Sequence, residues 1–79
     1  MEYSQQTLDK IMLVRLGRRI VGLRGQKGML QEELAIKAGI DRSYLSKIEN
    51  GRTNVSIGTL HWIAQVLGTT ISKLLDGLG

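Results

Sequence analysis

Residues 31–51 read QEELAIKAGIDRSYLSKIENG, and the punctuation of this stretch decides the fold. Leu34, Ala35 and Ala38 recur at helical spacing and stop at Gly39. Leu45 and Ile48 then recur at the same spacing and stop at Asn50-Gly51. Two short helices joined by a tight turn on a glycine form a helix-turn-helix pattern. The turn asks for definite residue types. Ala35 must be small where the two helices cross. Gly39 suits the left-handed backbone position just past a helix end, which costs a residue with a β-carbon about 1 kcal/mol. Ile40, Leu45 and Ile48 plug the angle between the helices. Asp41 precedes the second helix, and its carboxylate can accept the orphan amide hydrogens of the first turn. One residue sits badly. Helix dipoles favour carboxylates at helix starts and cations at helix ends, yet the segment 42–49 ends on Glu49.

Outward from this stretch, apolar residues keep the helical period between glycine stops. A first segment over residues 7–26 carries Leu13, Leu16, Ile20 and Leu23 on one stripe and closes at Lys27-Gly28. A segment starting at Ser56 or Ile57 and ending at Leu67 carries Ile57, Leu60, Ile63, Ala64 and Leu67 on one face, with Gly68 as its stop. A last one, from Ile71 to about Leu78, carries Ile71, Leu74, Leu75 and Leu78. Proline is absent, and no stretch alternates with the period of two that marks strands. The expected fold is all-α, a compact five-helix bundle. The 79 residues allow one domain over 1–79, with the helix-turn-helix proper at 31–50 and an N-terminal extension at 1–12. A domain of this size buries only about 60–65% of its unfolded surface, so modest stability is expected.

Composition narrows the function classes. There is no cysteine, hence no disulfide framework and no thiolate metal site, which fits a reducing cytosol and a cytoplasmic protein. No apolar run approaches the roughly 18 residues of a membrane span. The start, MEYSQQTLDK, lacks the basic-then-apolar order of a secretory signal. A formal charge of +4 and a sequence pI of about 9.9 favour polyanionic partners. His61, the single histidine, lies between Leu60 and Trp62 and has no second ligand to complete a metal set. Glu32, Glu33 and Asp41 form no evident acid–base pair. No catalytic residue, metal or cofactor is expected, and the chain does not read as an enzyme.

Residues 16–75, with LGRRIVGLR, QEELAIKAGI, SYLSKIENG and TLHWIAQVLG, resemble the phage repressor and Cro type (XRE family) of helix-turn-helix DNA-binding domain. The resemblance implies a lambda repressor-like fold. The small size also resembles restriction-modification controller proteins and stand-alone phage regulators. In that family an arginine of the first helix pairs with the acid that ends the recognition helix. Those positions here hold Arg24 and Glu49, and the pairing would account for the misplaced acid. Gln31 matches the family's phosphate-contacting glutamine, with its main-chain N–H and the helix dipole adding to that role. Leu30 departs from the pattern, standing where serine or threonine usually caps. A lost cap costs on the order of 1 kcal/mol, and Leu30 is left either packing on the first helix or facing a partner.

The resemblance implies a regulator whose segment 42–49 enters the major groove of double-stranded DNA. Arg42, Ser43, Ser46 and Lys47 share its outward side, opposite Leu45 and Ile48. Arg42 can donate twice to guanine O6 and N7, and Lys47 to similar acceptors. Tyr44 has two readings: contact with DNA, or cover for the helix junction. Asn50, Arg52, Thr53 and Asn54 form a polar loop suited to phosphate. Apolar residues in excess of one stripe, Leu8, Ile11, Met12, Val14 and Val21, with Trp62, Val66, Leu75 and Leu78 near the C-terminus, point to a homodimer. The interface is expected at Trp62, Val66, Leu75 and Leu78, reinforced by the extension 1–12. A two-fold dimer sets its recognition helices roughly 34 Å apart, so the operator should be a partial palindrome. Glu32 and Glu33 are either ordinary first-turn acids or a surface for RNA polymerase. The alternative function is an antitoxin-like or adaptor protein whose main partner is another protein.

Overall fold

A computed structural model describes residues 2–78, with side chains from Lys10 onward. The chain forms five helices: α1 (Glu2–Gln26), α2 (Gln31–Ala38), α3 (Arg42–Glu49), α4 (Ile57–Val66) and α5 (Ile71–Leu75). There is no strand among the described residues. The expected segments all appear; α4 ends one residue early, at Val66, and α1 and α5 differ more at one end. α1 starts at Glu2 rather than near Thr7, because neither glycine nor proline interrupts residues 2–10. Leu8 and residues 1–9 of the expected extension lie outside the described side chains.

The core is a single cluster in which every helix takes part. Leu16 and Ile20 come from α1, Leu34 and Ala35 from α2, and Leu45 and Ile48 from α3. Leu60, Ile63 and Ala64 come from α4, and Leu74 from α5. Each fully buried leucine or isoleucine removes enough apolar surface to stabilise the fold by about 1.5–3 kcal/mol. α1 packs against both α3 and α5, while α2 packs against α3 and α4. Gly39 sits in the left-handed region at φ 74°. Its N–H reaches the Ile36 carbonyl at 3.1 Å, and the Ile40 N–H reaches the Ala35 carbonyl at 3.0 Å. These bonds satisfy the last carbonyls of α2 and aim the chain into α3.

Helix ends are closed in different ways. Ser56 and Thr70 cap α4 and α5, accepting from the Thr59 and Lys73 amides at 3.1 Å each. Asp41 has the extended backbone of a cap but its side chain makes no capping bond, contrary to expectation. The carboxylate is exposed, where water competes with the amides for it. α2 lacks a side-chain acceptor at Leu30, and Glu33 replaces half of the usual arrangement by accepting the Leu30 N–H at 3.1 Å. Leu30 is 68% exposed and does not pack on α1.

α5 is shorter than expected. Arg19 of α1 donates to the carbonyls of Lys73 at 3.2 Å, Leu74 at 3.0 Å and Asp76, and Gly77 turns the chain at φ 72°. The chain then drops Leu78 into the core, 3% exposed. This corrects the interface assignment of Leu78: the side chain is consumed by its own domain.

α1 and the end of α3 approach closely at Gly17, a position that sequence reading did not single out. A β-carbon there would press into the Glu49 carbonyl and come within 2.6 Å of the Ile48 carbonyl oxygen. Gly22, on the same helix, would meet nothing within 4 Å. Gly17→Ala should therefore destabilise the domain by about 1–3 kcal/mol through overpacking. Gly22→Ala should stabilise it by about 0.5–1 kcal/mol. Urea unfolding followed by circular dichroism measures both, and equal effects would show that the α1–α3 approach is not tight.

Candidate nucleic-acid interface

α3 is divided lengthwise by its own packing. Leu45 and Ile48 face the core, while Arg42, Ser43 and Lys47 are exposed and Ser46 is half-buried beside them. A guanidinium, a hydroxyl and an ammonium therefore share one outward side, as the helical spacing predicts. Tyr44 stands apart from them. It packs against the core, and its hydroxyl lies 3.5 Å from the Asn54 carbonyl. The ring covers the junction while the hydroxyl stays at the surface.

Behind this face lies a charge-neutralising network. Arg24 Nε donates to Glu49 Oε2 at 2.8 Å, and Arg24 Nη2 donates to Oε1 at 3.0 Å. A third nitrogen, Nη1, donates to the Met29 carbonyl at 3.0 Å. The fork geometry of arginine suits this bidentate grip on a carboxylate. The side chains are 19% and 4% exposed, so the pair is screened little by solvent. A cation at the C-terminal end of α3 also opposes the dipole penalty of an acid there.

Gln31 joins the same network. Its Nε2 donates to Glu49 Oε1 at 2.8 Å, and its Oε1 lies 3.5 Å from Arg42 Nη1. One N–H of the side-chain amide is thus spent on Glu49, which has lone pairs left after binding Arg24, and the amide keeps a second N–H. The main-chain amide of Gln31, in the first turn of α2, is left for an anion. No single feature of the sequence signals this inward role; it needs the placement of α2 over the end of α3.

The loop after α3 holds the other expected polar residues together. Asn50 caps α3, its Nδ2 donating to the Ser46 carbonyl at 2.9 Å. The Arg52 N–H reaches the Lys47 carbonyl at 2.9 Å, which ties the loop to the helix. Arg52 and Asn54 are exposed and Thr53 is half-buried. Nearer the C-terminus, Trp62 is 57% exposed, Leu75 is exposed and Val66 is half-buried. Among the described residues, no group of histidine, cysteine, aspartate or glutamate could hold a metal ion. No helix there is long and apolar enough to cross a membrane.

Comparison with known proteins places this geometry among relatives. The helix-turn-helix family model HTH_3 matches residues 22–74. The control protein C.MunI of Mycoplasma sp is 41% identical over 66 residues, covering 82% of this chain and 89% of that protein. The crystal structure of the restriction-modification controller protein C.AhdI from Aeromonas hydrophila is similar with a TM-score of 0.76 and 40% identity. The match covers 78% of this chain and 94% of that one. The crystal structure of SinR, the master regulator for biofilm formation, in complex with DNA gives a TM-score of 0.72 and 47% identity. It covers 77% of this chain and 98% of that one.

The Arg24–Glu49 pair lends itself to a double-mutant test. Arg24→Met leaves a buried carboxylate without its cation and should cost about 3 kcal/mol. Removing both charges, in Arg24→Met with Glu49→Met, should cost less than Arg24→Met alone. Urea denaturation of the three variants measures the coupling, and additive losses would show that the pair does not act as a unit.

Proposed function

The chain belongs to the helix-turn-helix (XRE) family of DNA-binding transcriptional regulators, and from that premise we propose that it binds a partly palindromic operator as a homodimer, with α3 in the major groove. The observation that carries this reading is the division of α3: apolar residues inward, Arg42, Ser43 and Lys47 outward, and the one acid of the helix neutralised from behind. Arg42 reads guanine through two donors and Lys47 through one, while Ser43 and Ser46 supply hydroxyls that donate or accept. The Gln31 main-chain amide, Asn50, Arg52, Thr53 and Asn54 contact phosphates and set register without reading sequence. Residues 1–79 act as one such domain, in the cytoplasm and without catalysis.

Dimerisation uses apolar side chains that the domain does not fully bury, Trp62, Val66 and Leu75. A second reading, in which another protein is the main partner, rests on the same exposed tryptophan. A pull-down from source cells distinguishes a foreign partner from a second copy of the chain. RNA polymerase contact through Glu32 is compatible with its exposure, whereas Glu33 already serves the start of α2.

Selection of bound duplexes from a random library tests the main reading in one measurement. Two related half-sites should emerge, with centres roughly 34 Å or one helical turn apart. On the selected sequence, Arg42→Ala together with Lys47→Ala should lower affinity by about 100-fold or more, with the fold retained because both side chains are exposed. Affinity equal to that of the wild type would reject this reading face. Trp62→Glu with Leu75→Glu should shift the protein to monomer in sedimentation equilibrium; an unchanged dimer would place the interface elsewhere.

A further inference from the structure

α1 continues for four turns beyond its crossing with α3, and Lys10 lies on that continuation, outside the family-matched residues 22–74. Between this part of α1 and the loop that follows α3 runs an open groove. Lys10, Val14, Asn50, Arg52, Thr53 and Asn54 line it. Two cations and three amide or hydroxyl side chains meet there, and no carboxylate is among the lining residues. We propose that this groove seats a phosphodiester of the DNA backbone beside the end of α3, with Lys10 and Arg52 supplying the charge.

The placement is fixed by packing at two points. Gly51 is buried directly against Val14; a β-carbon there would come within 2.7 Å of the Val14 Cα. Lys10 lies one helical turn before Val14 and therefore on the same side of α1. The loop is held to α3 by the Arg52 N–H bond to the Lys47 carbonyl. The groove thus has a set position relative to the reading face, at the end of α3 where the sugar-phosphate strand borders the major groove. Lysine suits a phosphate as a point charge, and the amides and hydroxyl of the loop can donate to the same oxygens. This site rests on the reading of α3 as the recognition helix, and its test separates the two.

Fluorescence anisotropy on the selected operator and on a scrambled duplex, over a series of salt concentrations, provides the test. Lys10→Gln should weaken binding to both duplexes by the same factor, roughly three- to tenfold. It should also reduce the slope of log K against log salt by about 0.9 per phosphate, or about 2 for a dimer. Arg18→Gln serves as a charge-matched control, since Arg18 is exposed on α1 and does not line the groove; its slope should stay at the wild-type value. A wild-type slope in Lys10→Gln, or an equal drop in Arg18→Gln, overturns the site while the reading of α3 stands. Failure of Arg42→Ala with Lys47→Ala to weaken binding would instead remove the premise.

Discussion

Glu49 ends a helix whose dipole disfavours it, and it is buried where an unpaired carboxylate would be costly to hold. Everything on the exposed side of α3 depends on how that charge is met. Arg24 reaches across from α1 with two nitrogens and uses the third on the Met29 carbonyl, at the turn into α2. Gln31 then closes on the same carboxylate from the start of α2. Three helices are thereby referenced to one group. The tilt of α3 is set by the directional geometry of these bonds as well as by the less directional packing of Leu45 and Ile48.

The eleven lysine and arginine residues therefore do not act alike. Arg24 is consumed in the interior. Arg19 holds the last carbonyls of α5, and Arg15 lies 3.4 Å from the Leu78 carbonyl. Arg42, Lys47 and Arg52 remain on the side where α3 is exposed. The net charge of the chain understates this sorting, since part of its positive charge serves the fold and part faces outward along one edge.

Much of the architecture was legible because it is local. The period of 3.6 residues, Gly39 past the end of α2 and the small Ala35 each leave a mark within a few positions of where they act. The pairing of Arg24 with Glu49 could be expected only through resemblance, since 25 residues separate the partners. Features that depend on the packed assembly left weaker marks. Arg19 meets the last carbonyls of α5 from 54 or more residues away, where Gly77 turns the chain and Leu78 enters the core. Gln31 turns inward because Glu49 happens to lie beneath it. Gly17 carried a faint signal, since glycine within a helix is disfavoured and invites a search for a close neighbour. Gly22 and Gly25 give the same signal with nothing within 4 Å, so only the packed structure tells them apart.

The lengthwise division of α3 bears on how such a protein could acquire a new target. The side chains of Ser43 and Lys47 take no part in the internal bonding described above, so their identities are free to drift with little penalty to folding. Arg42 is less independent, since its guanidinium touches Gln31 and through it the buried carboxylate. Recoding at 43 and 47 is thus open to single steps, whereas a change at 42 invites a compensating change at 31. Related regulators sharing one cell could diverge along that two-speed route and cease to compete for each other's sites.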